Sequence, residues 1–546
     1  MVVTRKRLAI AGLIIAAGFL VLWGIYTAAV HTTAGGRVFQ FGLVGQAESV
    51  DPARVRNNVE KLMASTMYEP LVRWDDQTQS LKPCLANNWG YAKDAKSIIF
   101  ALEADVKFHS GRRLNAHDVK MSWERSLRLS DSPVTRSLFS TVVGTEEFIN
   151  GSAQEISGIK VLDAHTLQVN LTEPDSAFVY KVTHPAFWVV DTRDAIEIPP
   201  GTGPYKLDRF NAGEGLTVKA FRNYHGLRPA IAAVRFICYQ DENQGLGAFK
   251  AGEIDALDSV PRSEVSALQA DTDRHRLVKS PLMGFYAYAM NVNKAPYNQL
   301  NLRRAINYCI DRDLIIKNVM GGVGQPARGI LPMAVPGYNR ALQGYTLNTE
   351  KAIELLADTD YFKSVNPPVL QATYNTDEGH ARVALALKTQ LETMQIAVQP
   401  TSLSWEEYEK RMTSMQLDFF RLGWDADYPD ADAFLYPLFH SSQIGVTNLT
   451  GYRNPQVDRI LDAARAETQS NTERIKLLRR AEQIILDDAP MLWLVQKEMV
   501  SIIRPDVQGF KLDGLGLVNW SNLRFQEQHQ QQGVEKVSGR TVPLTP

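Results

Sequence analysis

Strand patterns and helix patterns alternate along this chain from residue 36 to residue 525, and this alternation constrains its fold more than any other feature. Short apolar runs such as FQFGLV at 39–44 are followed by segments with apolar residues at helical spacing, such as LRRAINYC at 302–309. Interleaved strands and helices predict an α/β fold whose sheets mix parallel and antiparallel strands. Because 546 residues exceed what one hydrophobic core accommodates, we expect about two to four domains.

Local patterns also predict individual elements. The alternating segment GIKVLDAHTLQVNL at 158–171 predicts one strand. Asn115, Asn454 and Asn471 each stand where a polar side chain would cap the start of a helix. The polar composition of residues 526–546 predicts a disordered tail.

The charges and the potential metal ligands exclude several classes of function. The 59 basic residues balance 60 acidic ones, so no basic excess exists to neutralise nucleic-acid phosphates. The 10 histidines and three cysteines show no zinc-binding or HExxH spacing. We therefore expect no nucleic-acid partner, no metal and no cofactor. Cys84, Cys238 and Cys309 could form at most one disulfide, and the sequence leaves open whether any forms.

The N-terminal segment has the pattern of an export signal. Three basic residues at 5–7 precede 23 uncharged residues from Leu8 to Val30, and a basic flank on this side predicts that the rest of the chain is exported. The apolar run is long enough to span a bilayer, so we favour residues 1–34 as an uncleaved transmembrane helix that tethers the protein to the inner membrane. Cleavage of a signal helix after Ala29 or Ala34, which would release a soluble periplasmic protein, stays open.

One stretch, RLGWDADYPDADAFLYPLF at 421–439, combines four aspartates with several aromatic rings. An unpaired buried charge costs several kcal/mol, whereas large aromatic rings are mostly buried. A cleft wall satisfies both constraints, with rings that cover a ligand and a carboxylate that meets a cation. Pro429 and Pro437 predict turns instead of a helix, and LDFFRLG at 417–423 predicts a short buried strand that leads into the stretch. A loop with ordinary surface aspartates is the alternative.

Seven segments share their order and spacing with a known family. They are DP at 51–52, YEPLV at 68–72, VKFHSGRRLNAHDVKMSW at 106–123, GTGPYKL at 201–207, AGEIDAL at 251–257, NVNKAPYNQLNLRRAINYCIDRDLI at 291–315 and YRNPQVDRILDAARAE at 452–467. Together they resemble the extracytoplasmic solute-binding proteins of peptide ABC importers, and among these the oligopeptide-binding proteins most closely. The resemblance covers about residues 37–525.

The resemblance implies a two-lobed periplasmic-binding-protein fold with mixed sheets around a ligand cleft. The implied parts are a discontinuous first lobe (36–68, 200–280 and 495–525), an extra subdomain on that lobe (69–199) and a second lobe (281–494). It further implies a monomer that binds short peptides with a free amino terminus as an added β-strand. The bound peptide would pass to an ABC permease in the inner membrane.

The resemblance also implies roles for individual residues. Asp427 corresponds to the aspartate that pairs with the α-ammonium group of the peptide. Arg421 and His380 would meet the C-terminal carboxylate of the peptide, and Trp405 and Trp424 would line its side-chain pockets. Backbone groups would contact the bound peptide strand from two sides, Gly423 and Asp425 from one side and Arg56, Asn57 and Asn58 from the other. None of these roles is catalytic, so the resemblance implies a binding protein and not an enzyme.

Two residues depart from the family pattern. Asp425 stands where the relatives carry a disulfide-bonded cysteine, so that bridge is absent, and Arg56 stands where an acidic residue is common. Purely structural roles stay open for three residues. Arg421 could pair with an aspartate of the same loop, His380 could lie on a helix surface, and Trp405 could pack in the core.

Two other functions remain as alternatives. An anchored protein of this kind could be a signalling receptor that reports a bound peptide or other solute to a membrane partner. A hydrolase could use the carboxylates between 425 and 432 as an acid/base pair. The sequence disfavours the hydrolase, because the four aspartates lie on one short turn and no opposing carboxylate is identifiable.

Overall fold

The structure, a computed structural model, describes residues 32–33, 36–193 and 196–526 of the chain. Residues 1–31 and 34 of the predicted membrane segment and residues 527–546 of the predicted tail lie outside these ranges, whereas residues 32–33 of that segment form a short strand. Inside them, no helix is both long enough and apolar enough to cross a membrane. The architecture is two lobes built from mixed sheets and helices, which confirms the predicted α/β class.

An eleven-stranded mixed sheet connects the two lobes. In order of neighbours its strands are Tyr205–Asn211, Gly215–Ala220, Ala233–Tyr239, Phe39–Val44, Ala256–Leu257, Met491–Ile503, Arg276–Met290, Phe419–Asp425, Leu370–Asn375 and Val398–Leu403, and Gln325–Pro326 pairs with Met491–Ile503. Parallel pairing joins Phe39–Val44 to Ala233–Tyr239, and the long central strands pair antiparallel. The mixture of strand directions agrees with the prediction.

Two long strands lie in the middle of this sheet, where the predicted layout has the chain pass from one lobe to the other. We name Arg276–Met290 the first crossing strand and Met491–Ile503 the second crossing strand. They pair antiparallel with each other, and both predicted lobe boundaries fall inside them. The pairing register shifts between Pro281 and Phe285, so the regular ladder is interrupted close to the boundary.

Residues 69–199, the predicted subdomain, contain a separate four-stranded antiparallel sheet. Its strands are Ala86–Tyr91, Ser97–Leu102, Thr166–Asn170 and Ile159–Asp163; the hairpin Val72–Asp75 with Ser80–Pro83 precedes it, and the helices are Ala116–Leu129, Pro133–Phe139, Thr145–Ile149 and Phe178–Lys181. Helix Ala116–Leu129 begins where predicted, because the Asn115 side chain accepts from the backbone N–H groups of His117 and Asp118.

The remaining helices lie outside residues 69–199. They are Asn58–Ala64, Glu242–Ala251, Val265–Ala270, Leu300–Tyr308, Arg312–Val319, Thr349–Ala357, Asp360–Lys363, Glu378–Glu392, Trp405–Thr413, Asp432–Phe439, Pro455–Ala466 and Asn471–Asp488. Two short strand pairs join Thr32–Thr33 to Gly36–Arg37 and Val507–Gln508 to Arg524–Phe525.

Polar contacts join residues 69–199 to other parts of the chain on two sides. Arg125 donates to both oxygens of the buried Asp51, at 2.9 and 2.6 Å. On the other side, the Ser176 hydroxyl donates to the Ala464 carbonyl at 2.9 Å and accepts from Arg474 Nε at 2.7 Å. Residues 69–199 therefore contact segments that the predicted layout assigns to the first lobe and to the second lobe.

Two local predictions were wrong. Residues 158–171 form two strands joined by a tight turn, in which the Asp163 side chain accepts a hydrogen bond from His165 N at 2.8 Å. The alternation of apolar and polar residues continues through this turn, so the sequence pattern does not show it. Ser470, and not Asn471, caps the helix Asn471–Asp488, since the Ser470 side chain accepts from the backbone N–H of Glu473. Asn454 caps its helix as predicted.

All three cysteines carry free thiols, so the open question of a disulfide is answered. Cys309 is buried, whereas Cys84 and Cys238 are half-buried. Burial raises the pKa of the Cys309 thiol to about 12. Burial also raises the pKa of the Cys84 and Cys238 thiols. The thiols are therefore protonated at neutral pH.

Candidate functional site

The strand Phe419–Asp425, which we name the site strand, has one open edge. On one side it pairs with the first crossing strand along its whole length, from Phe419 opposite Met290 to Asp425 opposite Gly284. On the other side it pairs with Leu370–Asn375 only at Phe419 and Phe420. Among the described residues, no strand pairs with 421–425 on that side, so an extended ligand could add there as a further strand.

Backbone groups of Gly423 and Asp425 face this open edge. Ala426 N donates to Met283 O at 2.8 Å, at the end of the ladder with the first crossing strand. Because the direction of the hydrogen bonds alternates along an antiparallel strand, the backbone of Trp424 also faces the first crossing strand. The N–H and C=O groups of Gly423 and Asp425 therefore point the other way. This is the orientation that peptide binding through these groups would need.

Asp427 follows the site strand, and its half-buried carboxylate accepts no hydrogen bond from any described residue. Burial raises the pKa of Asp427 to about 6; the Lys61 ammonium opposes this effect and Asp425 adds to it. Lys61 lies on helix Asn58–Ala64, so a residue from a distant part of the chain contributes to the charge around Asp427. A carboxylate in such a place is stabilised by a cation.

Lys61 is a functional candidate that the sequence analysis missed. Its Nζ donates to the Leu515 carbonyl at 2.8 Å. Burial lowers the pKa of Lys61, whereas the carboxylates of Asp513, Asp427 and Asp425 raise it. Lys497 already pairs with Asp425, so Lys61 is left with the carboxylates of Asp427 and Asp513. One ammonium group between two carboxylates leaves negative charge uncompensated when both are ionised, which favours a further cation. No motif marks Lys61, because the carboxylates that act on it lie far from it in the sequence.

An amide, and not a carboxylate, holds the Arg421 side chain. Arg421 Nε and Nη2 donate to Asn375 Oδ1 at 3.2 and 2.6 Å, and the Arg421 carbonyl accepts from the Tyr408 hydroxyl. The alternative in which Arg421 pairs with an aspartate of its own loop was wrong. Asp425 pairs with Lys497 instead, at 2.8 and 2.7 Å. Lys497 is a second candidate that no sequence motif marks.

His380 lies beside Arg421 and does not occupy an open helix surface. Its Nδ1 is 3.2 Å from the Tyr286 hydroxyl, and the side chain is half-buried. Burial lowers the pKa of His380, and the nearby charges that act on it are, in order of effect, Arg421, Asp377, Arg262 and Lys497. His380 is therefore neutral at pH 7, in surroundings where positive charge exceeds negative charge.

The remaining predicted contact residues lie at the margins of the site. Trp405 begins helix Trp405–Thr413 and is 54% exposed, so it does not pack in the core. The Asn57 side chain accepts from Glu60 N at 2.9 Å and thereby caps helix Asn58–Ala64. Arg56 and Asn58 are exposed at the start of the same helix. Of these residues, Asn57 already has a structural role.

Two of the four aspartates in 421–439 form buried ion pairs. Asp430 accepts from Arg474 Nη1 and Nη2, each at 2.7 Å. Asp432 accepts from Arg465 Nε and Nη2, each at 2.9 Å. Burial alone would raise the pKa of Asp432, but Arg465 holds it well below its ordinary value. The alternative of ordinary surface aspartates was wrong for this pair, and only Asp425 and Asp427 belong to the cleft.

The expectation that Pro437 excludes a helix was also wrong. Asp432–Phe439 is a helix that contains Pro437. Proline has no N–H group, so the Ala433 carbonyl four residues earlier lacks its usual donor. Trp424 Nε1 donates to this carbonyl at 2.8 Å and replaces the missing bond. The half-buried Trp424 ring thus supports the helix and packs against the core.

The site combines an open strand edge, a carboxylate at one end and several cations nearby. Such a surface suits an extended solute that carries a positive group at one end and a negative group elsewhere. In the part of the chain that the structure describes, no group of three or more His, Cys, Asp or Glu is placed to hold a metal ion. The two-lobed fold and this site define the class of solute-binding proteins.

The chain belongs to the family of bacterial extracellular solute-binding proteins, family 5 Middle, whose model matches residues 80–446. It is 26% identical to the dipeptide-binding protein of Escherichia coli (strain K12) over 486 residues, which cover 84% of this chain and 89% of that protein. It is 28% identical to the glutathione-binding protein GsiB of Salmonella typhimurium over 481 residues, or 85% and 89% of the two chains. The family consists of extracytoplasmic binding proteins, not enzymes, as the resemblance implied.

Solved structures show the same fold. The periplasmic murein tripeptide binding protein MppA, in its unliganded open form, matches with a TM-score of 0.78 and 24% identity over 89% of this chain and 97% of that chain. The periplasmic binding protein DppA from Helicobacter pylori, in complex with the peptide STSA, matches with a TM-score of 0.72 and 23% identity over 90% and 98%. These matches confirm the predicted two-lobed fold.

Proposed function

We propose that this protein binds short peptides with a free amino terminus in the cleft between its lobes and delivers them to an ABC permease in the inner membrane. The observation that carries this proposal is the open edge of the site strand next to Asp427, a carboxylate that lacks a hydrogen-bond donor among the described residues. The family and the names of the dipeptide-binding and glutathione-binding relatives support a peptide ligand.

The open edge would recognise the peptide backbone. An extended peptide that pairs with Gly423 and Asp425 gains main-chain hydrogen bonds, which supply affinity without reading the side chains. The start of helix Asn58–Ala64, with Asn57 and Asn58, would form the opposite wall. Trp405, exposed at the margin, offers an aromatic surface to a peptide side chain.

The charged groups would orient the peptide. Asp427 pairs with the α-ammonium group, which supplies the second cation that the cluster around Lys61 favours. Arg421, with His380 beside it, meets the C-terminal carboxylate. Trp424 contributes indirectly, since it fixes the loop that carries Asp427.

We propose the domain layout that the resemblance implies, with a first lobe (36–68, 200–280 and 495–525), a subdomain (69–199) and a second lobe (281–494). The separate sheet in 69–199 and the two crossing strands support these divisions. Because one chain supplies both walls of the cleft, a monomer is sufficient for binding.

We further propose that residues 1–34 tether the protein to the outer face of the inner membrane. The 23 uncharged residues support this, as do Trp23 and Tyr26 near the outer end, because such rings prefer the membrane interface. Mass spectrometry of the native protein from the membrane fraction should detect the intact N-terminus. A mature chain that starts at Val30 or Gly35 would show that the segment is a cleaved signal.

A peptide that binds the folded protein is expected to raise its melting temperature by mass action, equivalent to about 2.7 kcal/mol at a hundredfold excess over Kd. The measurement is a melting screen with peptides of about two to eight residues, combined with mass spectrometry of whatever co-purifies. Recovered peptides should be unchanged in mass, as expected for binding without hydrolysis. If no peptide shifts the melting curve and none co-purifies, the peptide assignment is wrong.

A further inference from the structure

The side-chain position of Gly423 is flanked by two cations. A Cβ atom added to Gly423 would lie 3.2 Å from Arg421 Nη1, 3.7 Å from Lys497 Nζ and 3.9 Å from the Phe285 carbonyl oxygen. The φ angle of Gly423 lies outside the left-handed region, so the backbone conformation does not require glycine. What glycine provides here is space between two positive groups.

Asp425 holds Lys497 over this space. Lys497 belongs to the second crossing strand and Asp425 to the site strand, with the first crossing strand between them. The lysine side chain reaches its partner across Gly284, where an added Cβ would lie 3.1 Å from Lys497 Cδ. Two glycines therefore leave space for the Lys497 side chain. Gly284 leaves space for its aliphatic part, and Gly423 leaves space beside its ammonium group.

We propose that an anionic group of the bound peptide lies over Gly423 and is held by Arg421 and Lys497 together. This inference rests on the proposed peptide binding and deepens it, because it makes Lys497 and Gly423 specificity-determining residues. Asn375 occupies Arg421 Nε and Nη2, which leaves Nη1 directed at the space. The ammonium of Lys497 has three N–H donors, and Asp425 has two oxygens, so one donor remains for the ligand. A carboxylate has two oxygens and can accept from both cations.

The charges that act on His380 include one further cation. Arg262 of the first lobe acts on His380 with the same sign as Arg421 and Lys497, and Asp377 opposes them. A cavity of about 200 Å³ includes Lys497 in its wall. Its polar lining residues are Arg262, Tyr286, Lys497, Glu242, Glu498 and Ser259. Glu242 and Glu498 balance the two cations of this lining, and Arg421 and Gly423 do not belong to it. The preference for an anion is therefore limited to the space over Gly423.

The anion can come from the C-terminal carboxylate of the peptide or from an acidic side chain. Titration with tri-alanine, tri-alanine amide, Ala-Ala-Glu amide and Ala-Ala-Gln amide separates these sources. If the terminal carboxylate is the anion, tri-alanine should bind about 10- to 100-fold more tightly than its amide. If a side chain is the anion, the same preference should appear for the Glu peptide over the Gln peptide.

Variants test whether the two residues create this preference. Lys497→Gln should reduce the preference for the anionic peptide about tenfold and leave the affinity for the neutral peptide nearly unchanged. Lys497→Arg, which keeps the charge, should retain the preference, and Gly423→Ala should remove it because the Cβ atom fills the space. Lys219→Gln is the matched control, since it breaks a lysine–aspartate pair of 2.6 Å on a first-lobe hairpin. Melting curves without ligand establish that each variant is folded.

Three results would overturn the proposal. Equal affinity of the wild-type protein for the anionic and neutral member of both peptide pairs would overturn it while peptide binding itself stands. Equal losses for both members in folded Lys497→Gln would show that the lysine acts only through the fold. If none of the four peptides binds and the melting screen finds no ligand, the proposed function fails, and this inference fails with it.

Discussion

Replacing Asp427 with alanine is expected to weaken peptide binding by roughly 30- to 5,000-fold. A peptide strand at the open edge brings its α-ammonium group to Asp427, in a place where burial raises the pKa of this carboxyl to about 6. Removing one partner of a poorly solvated charge pair leaves the other without compensation, which explains the size of the loss. Isothermal titration of both proteins with one peptide measures the change.

Acetylation of the peptide removes the same ion pair from the ligand side. It should weaken binding to the wild-type protein to a similar extent and add little further loss in Asp427→Ala, because the partner is already gone. The four titrations complete a double-mutant cycle. Losses that simply add would show that Asp427 does not anchor the amino terminus.

The same anchor determines the pH dependence. Only the ionised carboxylate attracts the ammonium group, so below a pH of about 6 binding must first remove a proton from Asp427. Affinity should therefore fall as the pH decreases through this value, by at most about tenfold per unit. Asp427→Ala should lose this dependence. A wild-type affinity that stays constant between pH of about 5 and 7 would contradict the assignment.

Replacing Asp432 with alanine is expected to lower the free energy of unfolding by about 3–5 kcal/mol. Asp432 is 1% exposed and accepts two hydrogen bonds from Arg465 at 2.9 Å and one from the Tyr428 hydroxyl at 2.9 Å. Without this carboxylate, the Arg465 guanidinium stays buried with its charge unpaired. Denaturant unfolding of the wild-type and variant proteins, with the slope compared between them, measures the difference.

Asp208→Ala is the control for this prediction. Asp208 pairs with Lys219 at 2.6 Å, but both side chains are well exposed, at 36% and 51%, and such a pair contributes less than about 1 kcal/mol. Adding Arg465→Leu to Asp432→Ala should recover much of the lost stability, because the unpaired charge is then removed as well. Similar small effects of Asp432→Ala and Asp208→Ala would show that burial does not strengthen the pair.

Much of the fold could be predicted because the period of a strand or a helix is a local property. Strand Phe39–Val44 coincides with the apolar run at 39–44, and helix Ala116–Leu129 begins at its capping asparagine. The reversal inside 158–171 could not be predicted, since the turn keeps apolar and polar residues in phase. The helix around Pro437 depends on a donor from Trp424, which no helical pattern reveals.

The candidate site was predictable only where a motif is continuous. The site strand and Asp427 belong to one short segment, so the resemblance could assign them. Lys61 and Lys497 lie far along the chain from the aspartates that they face, and only folding brings them together. In the same way, the arginines that form ion pairs with Asp430 and Asp432 come from distant helices. The sequence therefore could not distinguish these two structural aspartates from the two in the cleft.

The three free thiols have a consequence for how this protein matures outside the cytoplasm. An oxidising compartment forms disulfides through thiolates, which a raised pKa makes scarce. Burial keeps Cys84, Cys238 and Cys309 protonated while the chain is folded. The native state therefore needs neither a disulfide oxidase nor an isomerase, and its stability does not depend on the redox potential around it. Oxidative damage to the thiols becomes fast only in a chain that has already unfolded.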